Sequence, residues 1–141
     1  MIVTPLYAGL LAIWFLVLSI KVVQGRGHGP SLGDGGDAGM LRLMRGHANF
    51  SEYVPLILLM LLVLELSHVS IYILHGLGGT LLLARVLHGI AFSFTSHWKF
   101  GRFWGTALTF LVLLAAAGLC IYQGVLGHML WCCTHIPEGV E

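Results

Sequence analysis

Charge is scarce in this chain. Of its 141 residues only 7 are Lys or Arg and 6 are Asp or Glu, while 57% are hydrophobic and the mean hydropathy is +0.91. That balance excludes a soluble domain with an ordinary charged surface. The formal net charge of +1 and the lack of basic runs exclude a nucleic-acid-binding surface. Cysteine is nearly absent: Cys120, Cys132 and Cys133 make no metal-ligand spacing, and the adjacent pair reads as a feature of the tail.

Long apolar runs fill the space that charge leaves. They lie at Val3 to Val23, Met40 to Ser67, Val69 to Ser96 and Phe103 to Leu126, each long enough to cross about 30 Å of hydrocarbon. The expected fold class is all-α, an integral membrane four-helix bundle over residues 1–126, with a short tail over 127–141. The first run has neither a basic leading region nor a clear small-residue cleavage site, so it is expected to be retained as a helix. Lys21, Arg26, Arg42 and Arg45 cluster around the first connection and Lys99 and Arg102 around the third, whereas the second, at Glu65 to His68, has no Lys or Arg. The positive-inside rule then puts the first and third loops in the cytoplasm and both termini outside.

The first connection is rich in glycine, from Gly25 to Pro30 and again from Gly33 to Asp37, and cannot continue a helix. It lacks the Lys-Ser/Thr ending of a phosphate loop. The next helix is expected from about Ala38. Positions 42, 45, 49 and 52 step by three, four and three, which stacks Arg42, Arg45, Asn49 and Glu52 on one helical face as a polar ladder. It is expected to point inward and to give way to Leu56 and Leu59 in the same register. Pro55, at that transition, removes a backbone donor and can bend the helix. In the third run Arg85, His88 and Phe92 share a face by the same stepping.

Arginine near the centre of a membrane helix costs roughly 2.5–3.5 kcal/mol on insertion scales, so a buried charged constellation points to function. Guanidinium forks, an Asn amide and a Glu suit an anionic ligand bearing carboxylates, an amide and an ammonium group. The plainer reading is that Glu52 pairs with Arg45 or Arg85 and locks two helices together. His47 lies off the ladder and His75 nearer the far leaflet, so both read as interfacial or hydrogen-bonded residues.

The segment from Arg42 to Leu56, RLMRGHANFSEYVPL, with its pattern RxxRxxxNxxEYxP, resembles the signature of the MAPEG family, membrane-associated proteins in eicosanoid and glutathione metabolism. The four-helix order, GDGG before the second helix, ARVLH in the third and GRFWGTALT opening the fourth resemble bacterial members over about residues 1–125.

The resemblance implies a homotrimer with glutathione held between neighbouring subunits near the cytoplasmic face of a bacterial inner membrane. It assigns Arg45, Asn49, Glu52, Tyr53 and Arg85 as glutathione contacts. His88 stands where relatives carry Tyr or His and joins that set. Arg102 matches the arginine that stabilises the glutathione thiolate, with Lys99 as the fallback. Phe92 departs from the Tyr of several eicosanoid-forming relatives and carries no hydroxyl. This argues against a prostaglandin- or leukotriene-specific activity and for a generic glutathione transferase or peroxidase, or a member that has lost catalysis. The implied partners are glutathione, a lipophilic electrophile or hydroperoxide, and the bilayer. Two other classes stay open: a non-catalytic lipid- or partner-binding scaffold of the same fold, and a haem anchor using His88 with His47 or His75.

Overall fold

Four α-helices follow one another: α1 (Val3–Arg26), α2 (Ala38–Leu66), α3 (Ile71–Ser93) and α4 (Lys99–Thr134). The structure is a computed structural model that describes residues 2–27, 32–95 and 98–134, the side chains of 130–134 excepted. The stretch 28–31 of the glycine-rich connection, Ser96, the side chains of Trp131, Cys132 and Cys133, and residues 135–141 lie outside the described residues. All four helices are long and apolar enough to cross a membrane.

Local chemistry sets the helix ends. Asp37 caps α2, its carboxylate accepting from the amides of Gly39 at 2.8 Å and Met40 at 3.2 Å, which satisfies donors that the first helical turn leaves open. Before it the chain turns through Gly33, Gly35 and Gly36, all at positive φ. At the other end of α2 the carboxylate of Glu65 accepts from the first amides of α1, those of Ile2, Val3 and Thr4, so one helix terminus is capped by the side chain of another.

The ends of α4 differ from the hydropathy reading. It begins at Lys99, a turn ahead of Phe103, and continues to Thr134, two turns beyond Leu126. Hydropathy marks where the apolar segment stops, but no proline or capping turn interrupts the helix there. Pro55 does not end α2 either, which runs unbroken through it.

α2 and α3 form the central pair, with α1 and α4 each packed against both of them. The core is made by Leu11 and Leu18 of α1, Phe50, Val54, Ile57, Leu61 and Leu64 of α2, Leu74 and Leu81 of α3, and Val112 and Ala116 of α4. The ladder of α2 does not point into this core as expected. Arg45 and Glu52 are exposed, as are Leu56 at 51% and Leu59 at 56%. The competing stripe on the same helix, Gly46, Phe50, Val54, Ile57, Leu61 and Leu64, is wholly apolar and takes the inward face.

Gly78 shows how closely the helices approach. A Cβ there would collide with the ring of Tyr7, whereas one at Gly118 of α4 would meet nothing within 4 Å. Gly78→Ala is therefore expected to lose about 1–3 kcal/mol, while Gly118→Ala gains or holds stability through its better helix propensity, worth up to about 1 kcal/mol. Thermal unfolding of the two variants in detergent checks the order.

Candidate functional site

The centre of the site is a buried cation. Arg85 is 2% exposed, and its guanidinium reaches two helices. Nη1 donates to Asn49 Oδ1 of α2 at 2.8 Å, and Nη2 donates to the Gly105 carbonyl at 3.3 Å and to Thr109 Oγ1, both of α4. Thr109 spends its own proton on the Gly105 carbonyl, at 2.7 Å, which leaves its oxygen free to accept. The Arg85 carbonyl takes the indole N–H of Trp14 from α1 at 3.0 Å. Nε is left without a hydrogen-bond partner among the described residues.

These partners are neutral, so Glu52 is not Arg85's counter-ion here. The fork instead orients Asn49, turning its amide toward a cavity of about 290 Å³ lined by Arg45, Ala48, Asn49, Glu52, His88, Phe92 and Arg102. Asn49, His88, Phe92 and Arg102 also border a larger, more apolar cavity of about 770 Å³, which adds Lys99, Phe103 and Phe110. The basic start of α4 therefore joins the α2 ladder on one flank of the bundle.

Three residues of the predicted constellation stand apart from the cavity wall. Arg85 is behind it, acting through Asn49. Tyr53 is half-buried and leans on Phe110, with ring centroids 5.7 Å apart. Arg42 lines a separate space of about 420 Å³ with Asp37 and Ser93. Arg45, Asn49, Glu52, His88 and Arg102 are brought together.

The histidines weighed as haem ligands sit in different surroundings. His47 stacks on Phe15 at 4.6 Å and meets Ser19 Oγ at 3.1 Å. His75 meets the Tyr7 hydroxyl at 3.1 Å, and His88 stacks on Phe92 at 4.6 Å. His75 and His88, thirteen residues apart on one helix, are about 20 Å apart along its axis, too far for one haem. No group of three or more metal-ligating side chains occurs among the described residues.

Sequence reasoning missed Gly105 and Thr109 as partners of the buried cation. The signal was present, because Arg102, Gly105, Thr109, Val112 and Ala116 step by three and four along α4. The closeness of α3 and α4 at Gly105, where a Cβ would come within 2.7 Å of His88 Cβ, is what makes those oxygens reachable.

A four-helix bundle able to span a membrane, with an arginine-rich polar site opening on its flank, is the class of protein that this fold and site define. The chain belongs to the MAPEG family, whose model matches residues 4–122. It is similar to the inner membrane protein YecN of Escherichia coli strain K12, at 32% identity over 91 residues, covering 64% of this chain and 70% of that protein. The YecN of Escherichia coli O6:H1 matches with the same figures. No solved structure matches the chain.

Arg85→Lys is expected to cost about 2–4 kcal/mol, because a compact, strongly hydrated ammonium cannot reproduce the fork. Arg85→Met is expected to cost less, since it removes the buried charge along with its partners' bonds. Unfolding of both variants in detergent measures the difference, and a Lys variant as stable as wild type would contradict the clamp.

Proposed function

We propose that this protein is a membrane-bound glutathione-dependent transferase or peroxidase, in which bound glutathione thiolate attacks a lipophilic electrophile or lipid hydroperoxide. The observation that carries this reading is the convergence of Arg45, Asn49, Glu52, His88 and Arg102 on one cavity. Glutathione offers two carboxylates for arginine forks and an ammonium group for Glu52. Asn49, fixed by Arg85, suits a peptide group. A guanidinium beside the sulfur favours its charged form and so raises the amount of nucleophile at neutral pH.

The same residues support a proposed assembly. Arg45 and Glu52 lie on the outside of the single chain, where contact with acyl chains is costly. A homotrimer that covers this flank with neighbouring subunits, with glutathione between them, removes that cost. The placement is a bacterial inner membrane, as in the name of the YecN relatives, with the first and third connections in the cytoplasm because the lysines and arginines gather there. Glutathione then enters from water and the acceptor from lipid, through the cavity walled by Phe103 and Phe110.

Calorimetric titration of glutathione into the detergent-solubilised protein tests the reading. Wild type is expected to bind, and Arg45→Ala and Glu52→Gln each to weaken binding by roughly tenfold or more, as expected for loss of a charge-assisted contact worth about 1.5–3 kcal/mol. A folded oligomer that takes up no glutathione would leave the non-catalytic scaffold as the better account.

A further inference from the structure

We propose that Phe92 is the positioning residue of Arg102, holding its guanidinium by the face of an aromatic ring so that every N–H of the fork stays available to an anion. The inference rests on the proposed role of Arg102 beside the glutathione sulfur. The guanidinium carbon of Arg102 lies over the Phe92 ring, 4.8 Å from its centroid. The ring is itself fixed: His88 stacks against it at 4.6 Å and an interplanar angle of 23°. Behind it, α2 comes so near at Gly46 that a Cβ there would stand 2.9 Å from Phe92 Cβ. Phe92 also belongs to the walls of both cavities that Arg102 borders.

Arg102 is exposed at the first turn of α4, where a long side chain keeps most of its rotamer freedom unless something holds it. A carboxylate would hold it by consuming its donors and neutralising its charge. An aromatic face holds it and consumes neither, because the ring attracts the cation through its quadrupole and carries no oxygen or nitrogen to accept from the five N–H groups or to neutralise the charge. The other charged and titratable groups around the same cavities are Arg45 and Glu52 from α2, His88 from α3 and Lys99 from α4 itself.

Phe92→Leu keeps an apolar side chain of similar bulk but removes the ring, Phe92→Tyr keeps the ring, and Arg102→Ala removes the cation. Two readouts separate the inference from the function beneath it. The first needs no ligand: in the nuclear magnetic resonance spectrum of arginine-labelled protein, the Arg102 side-chain protons are expected upfield by ring current in wild type and Phe92→Tyr, and at ordinary positions in Phe92→Leu. The second is the ultraviolet absorbance of bound glutathione thiolate across pH. Phe92→Leu is expected to bind glutathione within about twofold of wild type yet to lower the thiolate fraction at neutral pH roughly three- to fivefold, the scale of one exposed cation–π contact. Phe92→Tyr is expected to restore it, and adding Phe92→Leu to Arg102→Ala to change nothing further.

Absence of the upfield shift in wild type overturns the inference without any reference to glutathione. An upfield shift with equal thiolate in wild type and Phe92→Leu overturns it as well. An upfield shift in a protein that binds no glutathione overturns the proposed function and the thiolate consequence, and leaves the ring's hold on Arg102 established.

Discussion

All four helices meet at one residue. Arg85 sends its guanidinium to α2 and α4 and receives the indole of α1 on its carbonyl. A cation that is only 2% exposed depends for its stability on oxygens supplied in the right places by two other helices, α2 and α4, while α1 ties down its backbone. The same requirement fixes their mutual register. Sliding α4 by one residue would carry Thr109 and the Gly105 carbonyl away from Nη2, and rotating α2 would remove Asn49. An apolar seam of leucines tolerates such slips far better, because its attractions are non-directional.

The placement of the site follows from this arrangement. Each helix has an apolar stripe that can be buried, and on α2 that stripe excludes the polar ladder from the core. The ladder survives on the flank because Asn49 sits at the boundary between the two faces. One end of its side chain is tied to the buried fork and the remainder is open to the cavity. Interior and site are thereby joined through a single amide, and the direction in which Asn49 presents its groups is set from inside the bundle.

Much of this was legible in the residues themselves. The four runs located the helices to within four residues at every end but the last of α4, and the stepping of 42, 45, 49 and 52 placed those side chains on one face. Whether that face turned inward was not legible, because periodicity names a face without saying which neighbour it meets. Two stripes on α2 competed, and only the packing of α1, α3 and α4 decided between them. The partners of Arg85 were hidden for a similar reason: the stepping along α4 puts Gly105 and Thr109 on one face with Arg102 but does not say that this face meets Arg85. The end of α4 was obscured because hydropathy measures solubility in lipid, whereas helix continuation depends on the absence of a breaker.

The length of α4 has a geometric outcome. Thirty-six residues make a rod of about 54 Å, and even a tilt of about 40°, the upper end of the usual range, lets only about 39 Å of it lie within a 30 Å hydrocarbon layer. About ten residues must therefore stand clear of the lipid. Phe100, Phe103 and Trp104 are exposed around the basic first turn, the kind of aromatic side chains that favour the headgroup level. With that end held at the headgroups, the excess stands at the opposite end of α4 as a helical length of about 15 Å.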